Sequence, residues 1–147
     1  MKEALKELFH RDLTTLRDEI ALYTEDDNLS QVHNTISNSG GNLCLHIIGN
    51  LKNYIGNGLA NTNYVRDREF EFSSKGVPRA KMYQELDETI SIVNKGFDCL
   101  TEAQLDGYFP LLIWEEKKET LFTLMHLHGH LTYHLGQINY HRRILDV

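Results

Sequence analysis

Residues 120–145 read TLFTLMHLHGHLTYHLGQINYHRRIL, and their spacing sets the architecture. Leu121, Leu124, Leu127, Leu131, Leu135 and Ile138 recur at steps of three and four. That period stacks side chains along one side of an α-helix. The stripe predicts a helix starting between Glu116 and Thr120 and running to about Leu145. Histidines interrupt it. His130 and His134 are four residues apart, so both lie on one helix face with Cβ atoms about 5–6 Å apart. An imidazole beside a core stripe costs free energy unless its nitrogens find partners. Two such rings can point at one metal ion. The plainer alternative is that each is a core histidine, hydrogen-bonded to a neighbouring helix.

Upstream, the same period predicts three more long helices. The first runs from about Lys2 to Tyr23, with Leu5, Leu8, Phe9, Leu13, Leu16, Ile20 and Tyr23 as its stripe. The second lies in GNLCLHIIGNLKNYIG, residues 41–56. Asn42 is placed to cap its N-terminus, and Gly56-Asn57-Gly58 to stop it. His46 falls there among core positions. Residues 57–77 are the least regular stretch, with strand-like alternation only at Phe70-Glu71-Phe72. A connection of about 20 residues is unusual in a compact domain and often covers a functional site. Pro78 suits the first turn of the third helix, which carries Met82, Leu86, Ile90, Val93, Phe97 and Leu100. Thr101-Glu102-Ala103-Gln104 has the capping-box pattern. Tyr108–Trp114 is an apolar linker. With two prolines in 147 residues, the chain reads as all-α. The expected fold is a four-helix bundle in one domain over 1–147, with a long connection between its second and third helices.

Composition narrows function. Fifteen Lys+Arg against 21 Asp+Glu leave a net charge of −6, which argues against a nucleic-acid partner. No apolar run approaches a membrane span. The charged, amphipathic start, MKEALKELFHRDL, is not a secretory signal. Cys44 and Cys99 have no paired spacing and suit a reducing cytoplasm.

A third imidazole, His46, completes a set with His130 and His134 drawn from two helices. Three histidines leave a coordination position open for water or substrate. Imidazoles without thiolates suit Zn²⁺, Ni²⁺, Cu²⁺ or Fe²⁺ better than Ca²⁺ or Mg²⁺. Other templates fail. There is no HExxH, and the one Glu-x-x-His, Glu7 to His10, sits near the N-terminus without the repeats a di-iron bundle needs. His126, four residues before His130, could be a fourth ligand, a residue touching a ligand, or a helix-face residue. Gln137 could orient His134 or contact substrate, or simply make a packing hydrogen bond. His128 and His141 lie off the line of the pair and read as surface residues or neighbours of the site. Gly129 and Gly136 are poor helix formers, which points to close helix approach or to room around the site. Arg66-Asp67-Arg68 reads as a solvated charge run, with contact to an anionic substrate as the alternative.

HLTYHLGQINYHRRIL, preceded about 85 residues upstream by GNLCLHIIGNLKNYIG, resembles the DinB-like superfamily of bacterial four-helix-bundle proteins. It is similar to a branch of unknown function whose motif reads Gly-Asn-x-x-x-His-x-x-Gly-Asn-Leu, matched from Gly41 to Leu51. The middle segment YVRDREFEFSSKGVPRAKMYQELDET is similar too. The resemblance implies a divalent-metal site at His46, His130 and His134, for which the ligand chemistry points to zinc or nickel. It also implies a homodimer and an atypical helix order. Better-studied members of the superfamily work on small molecules with low-molecular-weight thiols. The expectation is therefore a metal-dependent enzyme, a thiol transferase or a related hydrolase. The alternatives are a non-catalytic binding or stress-response module stabilised by its metal, and a plain helical dimer.

Overall fold

Six α-helices and no strands make up the fold in the computed structural model, which describes residues 1–147. They are α1 (Lys2–Ala21), α2 (Gly40–Leu51), α3 (Arg68–Ser73), α4 (Arg79–Cys99), α5 (Glu102–Leu105) and α6 (Thr120–Leu145). A 3₁₀ turn over Asp26–Ser30 follows α1, and a π-helical segment over Lys52–Asn57 continues α2. No helix is long and apolar enough to cross a membrane.

The apolar stripes sit where their period puts them. Leu5, Phe9, Leu13, Leu16 and Ile20 of α1 are buried, as are Met82, Leu86, Val93 and Phe97 of α4. On α6 the buried positions are Leu124, Leu127, Leu131 and Ile138, while Leu121 and Leu135 are partly exposed at the edge of the stripe. These residues join α2 in one cluster of 25 buried side chains. Helix α1 packs against α4 and α6, and α2 packs against the same two. The four long helices therefore close a ring in which α1 and α2, consecutive in the chain, are not neighbours. The links that cross the ring are thus residues 22–39, from α1 to α2, and 100–119, from α4 to α6, whereas the long excursion after α2 joins two helices that pack together.

Three local expectations are corrected. Ser39, not Asn42, caps α2: its Oγ accepts from the Asn42 backbone N–H and donates to Asn42 Oδ1. The Asn42 amide then donates to the carbonyls of Glu71 and Ser74. A residue read as a cap instead fastens the segment that returns from the long connection. Gly56-Asn57-Gly58 does not stop the helix, which widens into a π turn and continues to Leu59. Buried Lys52 lies in that turn and donates to Glu85 and Glu88 of α4 at 2.5 and 2.9 Å. Phe70-Glu71-Phe72 is helical, not strand-like. Asp67 caps α3 by accepting from the Phe70 N–H, and α3 packs on α2. The expected capping box at Thr101 and Gln104 is present at the start of α5.

Candidate metal centre

The inner face of α2 and one edge of α6 bring three imidazoles together. His46 is buried, and His130 and His134 are partly so. His46 Nε2 lies 3.0 Å from His130 Nε2, and His134 Nε2 lies 3.1 Å from the same atom. One ligand atom from each ring falls within 4.8 Å of the others. Imidazole nitrogens bind a Zn²⁺-like ion at about 2.0–2.1 Å, so two of them on one ion can be no more than about 4.2 Å apart. Both measured pairs meet that limit.

The outward nitrogens are held by other residues. Glu71 Oε1 lies 2.9 Å from His46 Nδ1. An ionised carboxylate only accepts, so Nδ1 carries the proton and Nε2 presents a lone pair to the centre. Arg66 Nη2 also approaches Nδ1, at 3.3 Å, but its firm contacts are two 2.8 Å hydrogen bonds to the Glu71 carboxylate. On the other side, Gln137 Oε1 accepts from His134 Nδ1 at 2.7 Å, which aims a second lone pair inward. Gly49 makes room for this arrangement. A Cβ there would stand 2.1 Å from Glu71 Oε2, so only glycine lets the carboxylate reach across α2.

Electrostatics keep the two α6 rings neutral. Burial, reinforced by His134 and His46, pushes His130 down to about 4. Burial also lowers His134, with the Gln137 hydrogen bond opposing it. Burial alone would raise the Glu71 carboxyl, yet hydrogen bonds from Arg66 and His46 and the Arg66 charge hold it below the ordinary range. At neutral pH the site thus sets an anionic Glu71 carboxylate behind His46 and keeps the His130 and His134 imidazoles neutral, as ligation by those rings requires.

A family described as "Protein of unknown function (DUF1572)" matches residues 2–146. The chain belongs to this family. Among curated proteins, none matches it.

The other histidines of this DUF1572 chain stand apart from the trio. His126 is exposed, with its ring against Trp114 at 4.7 Å between centroids, and contributes no atom to the cluster. His128, expected near the surface or the site, instead donates to Asp12 at 2.7 Å and packs edge-on against Phe9. His141 is buried, with both nitrogens used: Nδ1 pairs with Tyr23 Oη and Nε2 donates to the Gln31 carbonyl, each at 2.7 Å. Arg66 is no solvated charge, since it is anchored on buried Glu71. Gly129 and Gly136 border no close neighbour within the chain. Glu71 was invisible to spacing because the residues it serves, His46 and Gly49, lie more than 20 positions away. The usable signal was local: an acidic side chain between two phenylalanines, in a connection too long to be a plain turn.

Proposed function

We propose that His46, His130 and His134 hold a divalent cation, zinc or nickel, and that the protein is a metal-dependent enzyme acting on a small molecule, a transferase using a low-molecular-weight thiol. In this reading the helices form a DinB-like four-helix bundle, and the chain works as a cytoplasmic homodimer. The convergence of three imidazole nitrogens supports the reading most directly. Two of them are aimed by Glu71 and Gln137, which act on their far sides. A core histidine without such a role spends both nitrogens on neighbours, as His141 does.

When bound, the cation would supply a lowered pKa to a thiol or water beside it. The chain's own side chains do the rest. Glu71 fixes the His46 tautomer and supplies negative charge behind the centre, and Arg66 holds Glu71 ionised. The Phe72 ring, 4.7 Å from that of His46, and the Tyr133 ring, 5.2 Å from that of His134, wall the centre with aromatic surface. No cysteine joins the cluster of ligand atoms: Cys44 is buried and its thiol is pushed up to about 12, and the exposed Cys99 ends α4. A thiol brought in by the substrate fits that gap.

Elemental analysis of untagged protein tests the reading. One equivalent of zinc or nickel is expected, lost in His46→Ala, His130→Ala and His134→Ala. Full retention in all three variants would end it. A structural role for the metal has one observation in its favour, since the histidines join α2 to α6. That role predicts a large fall in melting temperature on chelation and no turnover in a screen of thiols with epoxide or aryl-halide electrophiles.

A further inference from the structure

Helix α6 is apolar on two sides. Its inner side fills the core. Its outer side carries Phe122, His126, Gly129, Tyr133, Gly136 and Tyr140, spaced at three and four, with Met125 and Ile144 at the margins. These are not buried in the chain: Phe122 is 53% exposed, Met125 59%, and Tyr133 and Tyr140 65% each. No charged residue occurs between Glu119 and Arg142. A helix that is apolar all round is ordinarily covered all round.

The two glycines sharpen the point. Glycine is a poor residue inside a helix, and a side chain at Gly129 or Gly136 would meet nothing within the chain. Nothing in one copy calls for them.

We propose that the outer face of α6 packs antiparallel against the same face of a second copy, about a twofold axis passing near residue 131. This rests on the self-association included in the functional reading above and names its surface. The midpoint follows from the pattern. In an antiparallel helix pair, residues equidistant from one centre face each other. About residue 131, Tyr133 meets the partner's Gly129, His126 meets the partner's Gly136, and Phe122 meets the partner's Tyr140. Large residues fall opposite glycines, the self-complementarity an isologous interface needs. Charge follows the same centre: Arg143 meets the partner's Glu119. Arg143 lies over the Tyr140 ring and forms no ion pair within its own chain, and neither does Glu119. A foreign partner would have no reason to share one midpoint for both shape and charge.

The area is adequate. An aromatic side chain presents about 150–250 Å², so the exposed parts of this face reach several hundred Å², the range in which a patch on a monomer marks an interface. The trapped surface would approach the about 800 Å² per partner of a standard interface. The face also borders the histidines. Residues 125 and 137 share the same midpoint, so the partner's Met125 would cover Gln137, the residue that aims His134.

Sedimentation velocity on untagged protein at micromolar concentration tests this, with metal content measured on the same samples. Twice the chain mass is expected for the wild type. Gly129→Phe with Gly136→Phe should give a monomer with unchanged far-UV circular dichroism, since the added rings clash only with a second copy. Arg143→Glu should weaken association about tenfold at low salt, as expected of a charge pair repeated by symmetry. Glu119→Arg combined with Arg143→Glu should restore it, which a parallel pairing cannot do. A monomeric wild type would overturn the proposal. So would a dimer that survives the phenylalanine pair, or a charge swap that fails to restore association. A wild-type dimer without metal would leave this proposal standing and overturn the metal reading alone.

Discussion

Two histidine sites share helix α6 and differ in what their nitrogens do. At His141, Tyr23 Oη sits on one nitrogen and the Gln31 carbonyl on the other, both at 2.7 Å. At His130, Nε2 faces two further imidazole nitrogens at 3.0 and 3.1 Å. Both rings are depressed in pKa by burial. Burial and titration therefore do not separate a core histidine from a candidate ligand. The separation comes from whether each nitrogen already has a complementary partner. His141 is saturated. In the trio, His46 and His134 aim lone pairs at His130 Nε2, which carries at most one proton for the two of them, an arrangement that a cation would resolve.

Breaking each site should give opposite signatures. The largest effect is expected for His130→Ala, which removes the ring common to both close pairs. Metal content should fall from one equivalent to none while the helical signal persists. His141→Ala should do the reverse. It leaves the buried Tyr23 hydroxyl with only a long 3.5 Å contact to the Ile138 carbonyl, a cost of about 1–3 kcal/mol, read as a lower unfolding midpoint with metal content unchanged. Loss of metal in the His141 variant would erase the distinction.

Next in size are the residues behind His46. Glu71→Gln should weaken metal affinity by about 10–100-fold, the range for groups that orient a ligand, measured by competition with a chromogenic chelator. Gly49→Ala should reproduce most of that loss, because the new methyl displaces the Glu71 carboxylate without touching a histidine. Wild-type affinity in Gly49→Ala would show that the carboxylate does not matter.

Acid should distinguish the metal-free protein from its His130→Ala variant. His130 titrates near 6.5 in the unfolded chain and near about 4 when folded. Between those values the unfolded chain binds more protons, so stability falls as pH drops through that window and is unaffected by this group above it. Denaturant midpoints across the window should slope more steeply in the wild type than in the variant. The smallest effect is expected at His126→Ala, where metal content and affinity should stay unchanged, since its ring meets Trp114 and not the trio.

Much of this was readable from spacing. The stripe of α6, the steps from Met82 to Phe97 and the Thr101 capping box depend on contacts within a few residues, which local sequence encodes. His46, His130 and His134 were legible because an i, i+4 pair fixes two positions and burial selects the third. Glu71 was not, since its role depends on a short helix docking onto α2, a tertiary event with no period. Residues 56–58 misled for a related reason. Two glycines around an asparagine signal a turn when nothing covers them. Here Gly56 packs closely against Ile92 and Thr62, and that packing carries the helix on past the stop signal.

The seating of Glu71 has one more consequence. Its carboxylate belongs to the excursion between α2 and α4, not to a long helix, so the residue that orients His46 arrives with a loop. By mass action, a cation that prefers the seated carboxylate also favours the docked loop, and its removal loosens that loop. Cleavage by a protease between residues 60 and 78 would then act as a gauge of occupancy, slow in the loaded protein and fast once the histidines are stripped.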